Sequence, residues 1–205
     1  MDHFQTFLSI CLGIGLSAAC GFRVFVPLLC LSIASITGHV HLAPAFAWVG
    51  TPPALIAFSV ATVLEIGAYY FPYLDNLLDS IAVPAAGAAG IFVAALAMAD
   101  VDPFWRWSLA IIAGGGMATS TQLATTKLRA VSTVTTAGVG NPILATIEAI
   151  LSTVLSVVSV FWPIVAFMLA LAIVSVCWLV IYYVGKKLLG LFRRKAPQPA
   201  APTPA

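Results

Sequence analysis

Two arginines and two glutamates stand in stretches of this chain that otherwise hold almost no charge. Arg23 lies within GLSAACGFRVFVPLL, Glu65 midway along an apolar run, Arg129 at the end of GGGMATSTQLATTKLR, and Glu148 about two turns into the apolar run that opens at Asn141. A charge inside an apolar segment is expensive. It is kept where it faces a bundle interior or a watery cavity. Arg23 and Arg129 suit an anionic group such as a carboxylate or phosphate. Glu65 reads equally as a proton or cation relay and as a structural partner of Arg23 or Arg129. Glu148 is in reach of Lys127 or Arg129, so an ion pair is the plainer reading and a coupling carboxylate the functional one. Arg23 itself has a plain reading too: it caps carbonyls where two half-helices meet.

Around Arg129 the pattern is denser. Thr119, Gln122, Thr125, Thr126, Arg129, Ser132, Thr133 and Thr136 recur at three- and four-residue spacing, which on a helix forms one polar stripe. Hydrocarbon cannot satisfy the hydrogen bonds of such a face, so it must meet protein, water or a ligand. The stripe ends in GVGNP, where Gly138 and Gly140 break the helix, and Asn141 and Pro142 fit the cap and first position of the next one. A glycine-rich turn feeding a helix start offers backbone N–H groups and the positive end of a dipole. With Lys127 and Arg129 nearby, this describes an anion site, although the same residues also make a simple helix–turn–helix break. The expected substrate or ion path is therefore Arg23, Glu65, Thr126, Lys127, Arg129, Thr133, Thr136, Asn141 and Glu148, with Gly138, Gly140 and Pro142 as the backbone turn.

No catalytic constellation accompanies these residues. There is no G-x-S-x-G nucleophile, no H-E-x-x-H and no P-loop, so the chain reads as a non-enzyme without a cofactor. His39 and His41 lack a third ligand, so no metal is expected. Cys11, Cys20, Cys30 and Cys177 are scattered without C-x-x-C spacing and read as small buried hydrophobes. Asp75 and Asp79 read as solvated loop charges.

The elements that must position these groups follow from composition. The 205 residues are 61% hydrophobic and 8% charged, against about 25% charged in an ordinary soluble domain. Mean hydropathy is +1.07. Such a chain is an integral membrane protein. Its apolar runs have helical length and lack the alternation of barrel strands, so the fold class is all-α: a polytopic helical protein of about six spans with broken helices. Membrane lipids are the expected surroundings, a homo-oligomer is compatible with this, and nothing points to nucleic acid. Met1-Asp2-His3 lacks the positive start of a cleaved signal.

In order, residues 4–37 read as one broken span or two half-spans interrupted at Gly21, Arg23 and Pro27, and 38–53 as a loop. Residues 54–71 form a span, Pro72–Asp79 an acidic turn, and 81–99 a small-residue span suited to close helix approach. Asp100, Asp102 and Pro103 make a turn, with Trp105 and Trp107 as interfacial anchors. A fourth span runs from 106 to about 124 and leads into the polar stripe, a fifth runs from Asn141 to Trp162, and a sixth from Pro163 to Gly185. Residues 1–185 thus make one transmembrane domain, and 186–205 a basic, then Pro/Ala-rich, disordered tail. Five of the nine Lys and Arg residues lie in that tail, which places the C-terminus on the cytoplasmic side of an inner, or plasma, membrane. Thr62-Val63-Leu64 with Pro72 matches Thr153-Val154-Leu155 with Pro163 at one constant offset. That suggests repeats over 4–99 and 104–185, inverted because each has three spans.

GLSAACGFRVFVPLL, then Glu65 with Pro72, Asp75 and Asp79, then AGGGMATSTQLATTKLRAVSTVTTAGVGNPILATIE resemble the bacterial membrane family called domain of unknown function 4126. The most specific part is the pattern of Arg129, Ser132, Thr133, Thr136, Gly138, Gly140, Asn141 and Pro142. The resemblance spans about residues 8–180 and implies a compact helical membrane domain; it implies no activity. From the residues themselves, the leading expectation is a small transporter or permease-like protein for an anionic substrate, its path lying between broken spans one and four. The alternative is a structural or accessory protein that binds partner helices or lipid headgroups.

Overall fold

The structure is a computed structural model that describes residues 3–70 and 72–194, and the side-chain surroundings of all of these except 72–77, 79–80, 184–185 and 187–194. Among the described residues the regular structure is entirely helical. The helices are α1 (His3–Cys20), α2 (Phe25–Ile36), a 3-10 turn (Pro44–Gly50), α3 (Pro52–Ala68), α4 (Pro72–Ala97), α5 (Pro103–Leu109), a π-helical segment (Ala110–Gly115), α6 (Gly116–Thr136), α7 (Asn141–Phe161) and α8 (Pro163–Arg194).

α1 is the centre. Its last ten residues, Cys11 to Cys20, are all buried, so it has no solvent or lipid face over that length and is enclosed by neighbours on every side. α4, α6, α7 and α8 pack around it, while α2 packs on α7 and on α3. Close approach depends on small residues. At Gly114 an added Cβ would sit 2.6 Å from the Ala94 Cβ and 2.9 Å from the Gly90 carbonyl oxygen, so α4 and the π segment touch backbone to backbone. Ser17 Oγ, 2.8 Å from the Gly90 carbonyl oxygen, ties the same spot to α1.

α1, α7 and the Pro163–Tyr183 part of α8 are long and apolar enough to cross a membrane. The 3-10 turn and α3 together make a fourth candidate, bent by 64°. α2 and the Ile81–Ala97 part of α4 are apolar but shorter. This is the make-up of a membrane protein.

Several boundaries differ from the expected ones. The interruption in residues 4–37 is confined to Gly21–Val24, and Pro27 does not break the chain. It sits in the first turn of α2, where a missing N–H costs nothing. The 38–53 loop contains the 3-10 turn. The backbone of Pro72–Asp79 is helix rather than turn, because Pro72 opens α4; the side chains of Asp75 and Asp79 lie outside the described residues, as does Phe71. The fourth span is not uniformly α-helical. Ala110–Gly115 form a π-helical stretch between α5 and α6, the wide-turn form that helices adopt at an inserted residue, and Gly116 opens α6. The basic stretch after Gly185 continues α8 to Arg194, and the residues beyond lie outside the described ones. Asp102 does begin a helix, accepting a hydrogen bond from the Phe104 N–H at 3.0 Å, and Trp105 and Trp107 are exposed beside it.

The tight α4–π contact predicts an asymmetry between neighbouring glycines. Gly114→Val should lower the thermal midpoint of the detergent-solubilised protein, by an overpacking cost of about 1–3 kcal/mol. At Gly116 an added Cβ meets nothing within 4 Å, so Gly116→Ala should hold or raise the midpoint. Tryptophan fluorescence melts check this; equal midpoints for the two variants would exclude the close approach.

Candidate functional site

The site forms where the α1–α2 break meets α6, α7 and the end of α3. α1 unwinds after Cys20, and the N–H groups of Phe22 and Arg23 still reach back to the Ala19 carbonyl at 3.0 and 3.1 Å. This turns the Arg23 side chain inward, where it is 1% exposed. Its Nη2 donates to the Ala145 carbonyl at 2.8 Å and lies 3.4 Å from Glu148 Oε2. Ala145 and Glu148 are one turn apart on α7, so one guanidinium edge meets both. Arg23 Nε and Nη1 are buried with no hydrogen-bond partner.

Arg129, also buried, comes from α6. Its Nε donates to Glu148 Oε1 at 3.1 Å, and its Nη2 pairs closely with Glu148 Oε2. That is the two-point fork a guanidinium makes with a carboxylate. One carboxylate thus serves two arginines. Tyr69, at the end of α3, completes the cluster. The guanidinium carbon of Arg23 is 3.9 Å and that of Arg129 4.3 Å from its ring centroid, inside the range in which an aromatic face attracts a cation.

Glu65 lies one helical turn before Tyr69 on the same face of α3. Its Oε1 accepts from the Val24 N–H at 2.7 Å and its Oε2 from the Phe25 N–H at 3.0 Å. These are the first amides of α2. Val24 occupies the capping position and makes no side-chain cap, so the carboxylate that α2 lacks locally arrives from α3. Beside this latch opens a cavity of about 570 Å³ among α2, α3, α4 and α6, with Glu65, Tyr69 and Gln122 at its polar end and Leu64, Ile81 and Ala85 on its apolar wall.

Of the expected path, Arg23, Arg129 and Glu148 come together, and Glu65 adjoins them through α2 and the cavity. The rest does not join. Lys127 is exposed, because a residue two positions from Arg129 points to another side of α6. Thr126 accepts from Gln122 Nε2 at 3.3 Å. Thr133 and Thr136 are exposed where α6 runs past its neighbours. The polar stripe therefore splits, with Gln122, Thr125 and Arg129 buried, Thr119, Thr126 and Ser132 half-buried, and Thr133 and Thr136 exposed. The GVGNP turn satisfies itself. Ala137 (φ 53°) and Gly138 (φ 86°) take left-handed conformations, the Gly140 N–H donates to Thr136 Oγ1 at 3.0 Å, and the Asn141 N–H to the Gly138 carbonyl at 3.1 Å. Asn141 Nδ2 donates to Thr133 Oγ1 at 3.2 Å. Gly140, not Asn141, is the capping residue, with Asn141 and Pro142 already helical. The Val139, Gly140 and Asn141 amides are thus engaged within the turn. Of the two histidines, His39 bonds Thr37 Oγ1 at 2.9 Å.

Tyr69 was not among the expected residues. Its signal was positional: four residues after Glu65 on one helix. The buried serines of α7, Ser152, Ser156 and Ser159, were also missed, although with Glu148 they follow three- and four-residue spacing. Ser152 donates to the Ala19 carbonyl at 3.0 Å, next to the break that carries Arg23.

Residues 10–183 match the family model described as Domain of unknown function (DUF4126). The chain belongs to that family. No match to a curated protein or a solved structure was found.

The shared carboxylate sets a test of what holds the cluster. Glu148→Ala leaves two buried guanidinium groups facing each other and should cost about 3–5 kcal/mol, read as a sharp fall in the thermal midpoint and in the yield of folded protein. Replacing Arg23, Arg129 and Glu148 together with methionine should recover most of that loss. A midpoint unchanged in Glu148→Ala would mean that the carboxylate does not hold the arginines.

Proposed function

We propose that this protein is a small permease of the inner membrane that binds an anionic solute at Arg23 and Arg129. The observation that carries the reading is Arg23: a fully enclosed guanidinium with two nitrogens, Nε and Nη1, unmatched by any protein acceptor. Buried donors are normally paired, and leaving one unmade costs roughly 1–3 kcal/mol. A second arginine on the same carboxylate adds positive charge, and a cavity stands on the other side of Tyr69. An arriving anion competes with Glu148 for the guanidinium groups. Glu148 is then the carboxylate that yields, and Glu65, latched on the amides of α2, is the one whose release frees the α1–α2 break to change shape. Both act as coupling or gating groups.

The same reading takes six crossings in two inverted three-span repeats. Thr62-Val63-Leu64 lies in α3 and Thr153-Val154-Leu155 in α7, and a proline starts the helix that follows each, Pro72 in α4 and Pro163 in α8. The lysines and arginines at the C-terminal end place that end in the cytoplasm, and with six crossings the N-terminus as well.

The rival role, a structural or accessory protein for partner helices or lipid headgroups, has no use for a cavity beside the charges and is best served by ions paired one to one. Thiol accessibility separates the two. In a chain whose native cysteines are replaced, Gln122→Cys and Ala68→Cys place a thiol at the cavity, and Lys127→Cys is the exposed control. A membrane-impermeant thiol reagent should label both cavity positions from one side of the membrane. Phosphate or acetate should slow that labelling several-fold, and Arg129→Gln should abolish the protection without abolishing the labelling. A labelled control with unlabelled cavity positions on both sides would move the assignment to the structural role.

A further inference from the structure

We infer that the solute is itself an amphiphile, a single-chain anionic lipid such as a long-chain carboxylate, and that it enters sideways from the bilayer between α3 and α4. This rests on the anion reading of Arg23 and Arg129 and adds the solute's class and its route.

α3 ends at Ala68 and α4 begins at Pro72, and among the described residues the two helices have different main packing partners. α3 lies on α2 and the 3-10 turn, while α4 lies on α1, α6 and the π segment. Two helices joined by so short a link and held by different partners form a fork, and the 570 Å³ cavity lies in it. Ala61 and Leu64 of α3 and Ile81 and Ala85 of α4 line its walls. Leu64 is 66% and Ile81 54% exposed. On a membrane protein, large apolar side chains exposed on helices face hydrocarbon, so this mouth opens onto lipid. The closed end is different in kind, with Glu65, Tyr69 and the start of α2.

A small hydrophilic anion reaches the polar end but gains nothing from such walls. An amphiphile matches both ends. Its chain replaces lipid along Ala61, Leu64, Ile81 and Ala85, and its head arrives at Tyr69, behind which stand the two guanidinium groups. The sign of the head follows from the donors. Arg23 and Arg129 share the single carboxylate of Glu148, and Arg23 Nε and Nη1 have no hydrogen-bond acceptor, so the head that completes this cluster is an anion. The cavity volume falls inside the roughly 300–1,000 Å³ usual for ligand pockets, the scale of one chain rather than of a whole two-chain lipid. Tyr69 is then a positioning residue: it lines the cavity and holds the arginines on its ring, so the head reaches them when the ring turns aside.

The test uses the full chain in lipid nanodiscs with a palmitate analogue that carries a photoreactive diazirine in its chain. Cross-links should concentrate on residues 61–68 and 78–85. Excess palmitate should suppress them at least ten-fold, and hexadecanol, with the same chain and no charge, should do so poorly. Ala61→Trp and, independently, the exposed-site variant Ala85→Trp should each reduce cross-linking in the fork several-fold, while phosphate or acetate still protects Gln122→Cys. Cross-links spread equally over α8 and the fork, and unaffected by either tryptophan, would overturn the lateral route while leaving the permease reading intact. Equal competition by hexadecanol, or unchanged capture in Arg23→Gln and Arg129→Gln, would overturn the anionic head and the arginine reading together.

Discussion

A helix that breaks inside an apolar bundle exposes amides that hydrocarbon cannot satisfy, and the organisation of this protein follows from how one such break is met. At Gly21–Val24 the chain leaves α1 and starts α2 with an apolar residue at the cap. No side chain nearby in sequence can accept the first amides of α2. Glu65 accepts two of them from across the bundle, which fixes α3 against α2 and brings Tyr69, one turn later, to the same place. The break also turns Arg23 into the interior. A single unsatisfied backbone position thus explains why a carboxylate, an aromatic ring and a guanidinium from separate elements converge.

Convergence has a cost that selects the remaining partners. An ion taken out of water loses several kcal/mol of solvation even after relaxation, and here two cations are buried together. Glu148 offsets this by meeting both, with Arg129 in a two-point fork and Arg23 on one oxygen. The Tyr69 face adds roughly 1–2 kcal/mol per cation at a desolvated site. The central helix makes these approaches short: α1 is enclosed by small residues and serines, so α6 and α7 reach the break at backbone distance. Part of Arg23 is still unmatched, and a structure built only for stability would do better with methyl groups in that space.

The charged half of this arrangement was legible in the sequence because charge in an apolar run is rare and costly. Arg23, Arg129, Glu65 and Glu148 stood out by type alone. Their partners were less legible. Tyr69 has no charge to mark it, and only the fold places it under two guanidinium groups. Lys127 looked equivalent to Arg129 because both are cations in one stretch, but two residues of helix separate their directions. The stripe through Thr133 and Thr136 continued the right periodicity beyond the point where α6 still has neighbours, and periodicity cannot say where a bundle ends. The π-helical segment was not legible either; it uses the missing side chain of Gly114 to bring backbone against α4. The helical content and membrane character followed from composition; the start of α4 at Pro72 and the extension of α8 to Arg194 did not.

The elements that build the site are held very unequally. α1, α6 and α7 form its back, and α1 packs on both of the others. α3, which carries both Glu65 and Tyr69, buries only Ala54 and Thr62 along its helical span, and even Thr62 Oγ1 has no partner. Besides its packing on α2 and the Glu65 latch, it is held at its C-terminal end by Tyr69 on the guanidinium groups and by Tyr70 Oη against Thr146 Oγ1 at 2.9 Å. A segment with few buried contacts is the one that opens at least cost. Any rearrangement of this site therefore falls first on α3, pivoting about the Tyr69–Tyr70 end, and such a pivot moves together the carboxylate that latches α2, the ring that covers the arginines and one wall of the cavity. The interaction that satisfies the broken helix and the element best able to move are the same helix, which couples the state of the α1–α2 break to access at Arg23 and Arg129.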